Sequence, residues 1–207
     1  MNLKIYKLIV TLLGLIVLSG SYVQPQTPVF DQLRDKFDQN LVFKAAFEHT
    51  YIDSYTEESI NSSGLIWIDK AGYKLESEDQ LIVVDGETST VYDGLRNRII
   101  VSEYDAEEDD FAPSRMLSGI DETYTASEKP LDNGSTEITL VTEDDFAVFI
   151  QVEIVVDRNL KPVKITAYDI ADNIIITSFT NGEFETRDAN TFKLEYPEGA
   201  EIVDMRF

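Results

Sequence analysis

Only one histidine occurs in the chain, His49, and it directly follows an alternating run from Phe43 to Glu48 that has the period of a β-strand. A lone imidazole in such a setting is more often a structural group than a catalytic one. There is no cysteine, so a thiolate nucleophile, a disulfide and a thiolate metal site are excluded. No serine stands in a Gly-x-Ser-x-Gly elbow. A Gly-x-x-x-x-Gly-Lys phosphate loop and a His-Glu-x-x-His zinc motif are also missing. Carboxylates are plentiful: 39 Asp and Glu against 17 Lys and Arg give a net charge of −22. Two carboxylates can hydrolyse a glycosidic bond, but at this density pairs arise by chance. The run Asp105, Glu107, Glu108, Asp109 and Asp110 lacks the glycine and terminal glutamate of a calcium loop, and it reads as a solvated connection. We therefore expect no catalytic residue, no metal and no cofactor. So strong an anion also repels nucleic acid and acidic lipid surfaces; the acidity reads first as a source of solubility, with steering toward a basic partner surface as the functional alternative.

With that chemistry set aside, the informative residues are apolar. Lys4 and Lys7 precede an apolar run from Leu8 to Leu18, and Ser19, Gly20 and Ser21 follow. This is the layout of a secretory signal peptide, expected to occupy residues 1–21. A retained anchor is the alternative, although a spanning helix needs about 20 apolar residues. Leu18-Ser19-Gly20 leads into a bacterial lipidation box, but Ser21 stands where the acceptor must be cysteine. A hydroxyl cannot form the thioether, so release as a free protein is expected.

Residues 22–207 have the length of one domain. Thr27-Pro28 reads as an N-cap followed by proline at the first helical position. Phe30, Leu33, Phe37 and Leu41 recur at helical spacing, which predicts a helix from Pro28 to Asn40. Beyond it the period is that of strands. Asp85-Gly86, Asp93-Gly94, Asn133-Gly134 and Asn181-Gly182 read as turns. A short helix is expected at Pro113 to Leu117, and the last extended pieces at Phe192 to Tyr196 and Ala200 to Val203. About ten or eleven short strands indicate an antiparallel sandwich or barrel. Leu65 to Ile68, Leu81 to Val84 and Ile174 to Ile176 are apolar at successive positions, so both faces of those strands are covered. Either one filled core or a sheet curled around an apolar cavity accounts for this.

Four stretches, in order, carry a resemblance. Gly64-Leu65-Ile66-Trp67-Ile68-Asp69-Lys70-Ala71-Gly72-Tyr73-Lys74-Leu75 is similar to a strand–turn–strand. Leu81-Ile82-Val83-Val84-Asp85-Gly86-Glu87-Thr88 is similar to a hairpin. Pro113 to Leu117 matches a proline-started helix, and Phe192-Lys193-Leu194-Glu195-Tyr196-Pro197-Glu198-Gly199 a closing segment. All are features of the outer-membrane lipoprotein carrier family (LolA), which the chain resembles from its first helix to its C-terminus. The resemblance implies a mainly β fold, an unclosed antiparallel half-barrel lidded by helices. It implies a periplasmic, non-enzymatic carrier domain over residues 22–207. Such a carrier takes the acyl chains of lipid-modified proteins from an inner-membrane transporter to an outer-membrane receptor. A monomer is expected. A carrier of another amphiphile, such as a glycolipid, and a sensor or scaffold domain remain as alternatives.

Phe43, Phe47, Leu65, Trp67, Tyr73 and Val83, on the first strands after the helix, are expected to include the residues that line a lipid cavity under the lid, with the face of each strand left open because a one-residue slip exchanges the faces. In the family an arginine before a turn proline hydrogen-bonds the lid. Lys70 and Ala71 stand there in this chain, and Lys74 matches a second basic position. A lysine latch is weaker than an arginine one, since it is a point charge without a planar fork.

Overall fold

A computed structural model of the chain describes residues 26–109, 112–118 and 122–206. The expected signal peptide lies outside the described residues. No described helix is long and apolar enough to cross a membrane.

Among the described residues twelve strands form one sheet: β1 (Leu41–Ile52), β2 (Ser59–Ile68), β3 (Tyr73–Glu76), β4 (Gln80–Val84), β5 (Thr88–Asp93), β6 (Arg98–Glu103), β7 (Thr125–Pro130), β8 (Thr136–Val141), β9 (Phe149–Val156), β10 (Pro162–Asp169), β11 (Ile174–Thr186) and β12 (Glu201–Asp204). Their spatial order is β12-β6-β5-β4-β3-β2-β1-β11-β10-β9-β8-β7. Every neighbouring pair is antiparallel except β12 on β6, which is parallel. The two ends of the sheet do not pair, so it is an open half-barrel, with two helices on its inner face. Helix α1 spans Pro28–Asp38 and α2 spans Pro113–Ser118.

Local chemistry sets the turns. Asp85 Oδ1 accepts from the amides of Glu87 and Thr88, and Gly86 takes a φ of +100°, a conformation glycine adopts without strain. Asn181-Gly182 is not the turn that its dipeptide suggests. It lies inside β11, where the pairing jumps from Lys44↔Glu183 to Ala46↔Thr180. Asn181 and Gly182 therefore face Ala45 together as a bulge, with Asn181 at φ 55°. A Cβ on Gly182 would lie 2.7 Å from the Phe43 ring, so packing requires glycine here. A bulge bends its strand and raises the local twist, which suits a sheet that curls over α1.

The inner face holds the main core, twenty buried residues among those described, to which α1 adds Phe30, Leu33 and Phe37. Fully burying each such side chain contributes about 1.5–3 kcal/mol, so this face dominates stability. The outer face carries a small second cluster, Val42, Val83 and Phe192. Phe192 reaches it from a segment expected to be a strand. Residues 192–196 pair with no strand, because the chain turns at Asn190–Lys193 and meets Pro197. They lie as a strap across the sheet, and only Glu201–Asp204 pairs, on the β6 edge. Helix α1 also ends two residues early, at Asp38, and Asn40 turns the chain into β1 with φ 61°.

A roofed apolar cavity as the candidate site

Strand pairing builds the floor. Ala45, Ile66, Leu75 and Ile82 face one another in a row across β1, β2, β3 and β4. Ile66, Leu75 and Ile82, together with Phe47, line a cavity of about 290 Å³. Ile165, Ile175 and Phe179 complete the wall, and Pro113 and Met116 of α2 roof it. One side is polar: His49, Ser62, Ser77, Gln80 and Thr177. Among the described residues no lining side chain is an acid, a lysine or an arginine. Burial lowers the pKa of His49 below the ordinary imidazole value, so the ring is uncharged at neutral pH. Among the described residues no three His, Cys, Asp or Glu are grouped to hold a metal.

The structure divides the expected site residues between two faces. Phe47 and Tyr73 line the cavity. Phe43 has its ring on the inner face but under α1, fully buried. It touches the wall through Phe179, with ring centroids 5.6 Å apart. Leu65, Trp67 and Val83 lie on the outer face. Gly64 faces Phe47 in the ladder, and side chains alternate along a strand, so Ile66 and Ile68 point inward while Leu65 and Trp67 point outward. Trp67 is flanked by Lys44 and Lys74, whose ammonium nitrogens stand 5.3 and 4.6 Å from its ring centroid, a cation–π arrangement. Val83 is covered by the strap. Sequence reasoning missed Ile66, Leu75, Ile82, Ile165, Ile175, Phe179 and Met116. Parity is the signal that finds them, but it is readable only on β1, where Phe43, Ala45 and Phe47 share a face opposite Lys44 and Glu48.

Each end of α1 is tied down. Thr27 occupies the N-cap but makes no side-chain cap bond. The amide of Phe30 donates instead to Glu128 Oε1 of β7, at 2.6 Å. A carboxylate at this end also complements the helix dipole. At the other end Lys70 Nζ meets Asp38 Oδ1 at 2.5 Å, so Lys70 does reach the helix. That hydrogen bond, with the lysine charge, holds the Asp38 carboxyl below its ordinary 3.8. The contribution is therefore complete above the ordinary value and is lost as pH falls through the lowered one. Both partners are more than half exposed, and exposed pairs contribute little. Glu128→Ala is expected to lower stability in urea by about 1 kcal/mol and to raise uptake of a hydrophobic dye. Lys70→Ala should change both less. A larger dye response from Lys70→Ala than from Glu128→Ala would reverse this ranking.

The roof has its own fastening. Asp109, in the connection from β6 to α2, accepts a hydrogen bond from the Tyr73 hydroxyl at 3.0 Å. Burial first, and then the Asp109 carboxylate, push the Tyr73 phenol well above its usual pKa. The same two causes push Tyr104 up to about 12. Tyr73 is thus both cavity wall and anchor for the roof.

No protein-family model matches the sequence, and no curated protein matches it. Among solved structures, an uncharacterized conserved protein from Thermus thermophilus superposes with a TM-score of 0.52 at 13% identity, over 84% of this chain and 98% of that one. At this identity the likeness bears on the fold alone. A LolA superfamily protein from Nitrosomonas europaea aligns more loosely, with a TM-score of 0.42 and 10% identity over 81% of this chain and 99% of that one. A DUF1329 family protein from Desulfovibrio piger gives 0.40 and 10% over 82% and 97%.

Proposed function

We propose that this chain is a periplasmic carrier of acyl chains, whose cargo is the lipid of lipid-modified proteins. It receives them from an inner-membrane transporter, delivers them to an outer-membrane receptor and catalyses no reaction. The observation that carries this reading is the apolar cavity between sheet and α2, walled by isoleucine, leucine and phenylalanine and roofed by a helix short enough to move. The ordered sequence resemblance described above supports the cargo.

Magnitudes fit a carrier better than a store. At about 290 Å³ the closed cavity is at the bottom of the range of about 300–1,000 Å³ typical of ligand pockets. Three acyl chains enter only if the roof opens. About ten buried methylenes would gain about 8 kcal/mol, which corresponds to micromolar retention. Binding of that strength holds a chain in water and still permits release. The β1–β2, β5–β6, β8–β9 and β10–β11 connections expose Tyr55, Leu95, Phe146 and Ile170 within a strongly acidic chain. Such connections suit brief contact with a basic, partly apolar partner surface.

Native mass spectrometry of the protein isolated from its own host tests the reading. A bound triacylated peptide is the expected result. A free lipid or glycolipid would replace the cargo with another amphiphile. Nothing bound, together with no uptake of a hydrophobic dye by the purified protein, would end the carrier reading in favour of a scaffold.

A further inference from the structure

We infer that the polar side of the cavity is a head-group site selective for an uncharged ester, amide or hydroxyl head at the end of an acyl chain. This rests on the carrier reading and adds what the cavity recognises. The site is built across three strands. His49 of β1 faces Ser62 of β2 on one side and Thr177 of β11 on the other. His49 Nδ1 lies 2.9 Å from Thr177 Oγ1, which fixes the ring. The other ring nitrogen, Nε2, has no partner among the described residues. Gln80 and Ser77 line the same cavity.

The chemistry of this group selects the head. A neutral imidazole offers one donor and one acceptor, serine and threonine hydroxyls offer both, and the Gln80 amide adds two donors and an acceptor. Glycerol hydroxyls, ester carbonyls and amides are satisfied by such partners alone. A carboxylate or phosphate head is not. It would meet no lysine or arginine among the described lining residues, inside a chain of net charge −22. An ammonium head would find no carboxylate among the described wall residues. The apolar wall then holds the chain, and the His49–Thr177–Ser62 row fixes how deep it enters.

The test uses the full-length mature protein loaded with a fluorescent naphthylamine dye. Displacement is compared across amphiphiles of equal chain length: a monoacylglycerol, an N-acylated peptide amide, a fatty acid carboxylate and an alkyltrimethylammonium. The two neutral heads are expected to displace the dye at about tenfold lower concentration than the two charged ones, a difference of about 1.4 kcal/mol. The order of the two neutral heads separates a lipoprotein source from a free glyceride, and either order supports the site. His49→Phe should reduce the neutral-over-charged ratio severalfold. Thr177→Val, nearly isosteric, should do the same if the first variant fails to fold. A charged head that binds as well as the neutral ones, or a ratio that survives both substitutions, would overturn the head-group site and leave the carrier reading intact. Dye bound but displaced by none of the four would overturn both.

Discussion

Phe43→Ala is expected to destabilise the protein by about 3–5 kcal/mol, the usual cost of removing a buried phenylalanine. Its ring is fully buried and is the middle member of an aromatic chain. Phe37 of α1 meets Phe184 edge-on at 5.7 Å, Phe184 meets Phe43 at 5.3 Å, and Phe43 meets the cavity-wall residue Phe179 at 5.6 Å. Gly182 leaves no backbone slack to collapse on, because its missing Cβ is the space that the ring already fills. For a chain of this size each kcal/mol lowers the melting midpoint by about 2–4 °C, so a fall of roughly 10 °C should be seen in a thermal melt. The second readout is functional. The void lies against Phe179, so it merges with the cavity, and the chain length of best binding should rise by a few methylenes. A melt within a degree or two of wild type would show that Phe184 and Phe179 close the gap, and the longer-chain preference should then vanish too.

Much of the fold was legible because turn chemistry and hydrophobic period agree in most places. Asp85-Gly86 and Asn133-Gly134 turn where their dipeptides say they should, and Phe30, Leu33 and Phe37 define the buried stripe of α1. The sequence failed where long-range contacts overrule the local signal. Asn181-Gly182 has the composition of a hairpin turn, but β1 pairs along both halves of β11, and the dipeptide becomes a bulge. Phe192-Lys193-Leu194 alternates like a strand, but the segment crosses the outer face, where Phe192 covers Val42 and Val83.

The site was half legible for one physical reason. Alternation identifies the inner face only where the other face is polar. On β1 it is polar, and the structure sets Phe47 in the cavity wall. On β2 and β4 the outer face is apolar as well, because Trp67 packs beneath two lysine chains and Val83 beneath the strap. Nothing local then distinguishes Ile66 from Trp67, or Ile82 from Val83. The tie at the start of α1 was hidden for a similar reason. Lys70 meets Asp38 at the end of α1, whereas Glu128 stands 98 residues from the amide it holds, a pairing that only the curl of the sheet creates.

Asp69→Ala is expected to cost about 2–4 kcal/mol. The carboxylate is 3% exposed and serves three donors. Its Oδ1 accepts from the amides of Ala71 at 2.9 Å and Gly72 at 2.7 Å, closing the β2–β3 turn. Its Oδ2 pairs with Arg187 Nη1 at 3.0 Å, and the same guanidinium lies 5.0 Å from the centroid of Phe192 in the strap. Alanine leaves the buried Gly72 amide without its acceptor, and that is the larger loss. Arg187, one-third exposed, can turn to water. Asp69→Asn separates the two parts: the amide oxygen still serves the turn, but its NH₂ group opposes the arginine. The expected order of stability in urea is therefore wild type, then Asn, then Ala. Asparagine equal to wild type would show that the ion pair contributes nothing, and alanine equal to asparagine that the turn bonds do not. The consequences should spread to both faces. Lys70 follows Asp69 directly, so a loosened turn also releases Asp38 at the end of α1, while Phe192 loses the guanidinium that seats it. Dye binding should rise at the cavity and under the strap together, giving a response larger than Lys70→Ala produces alone.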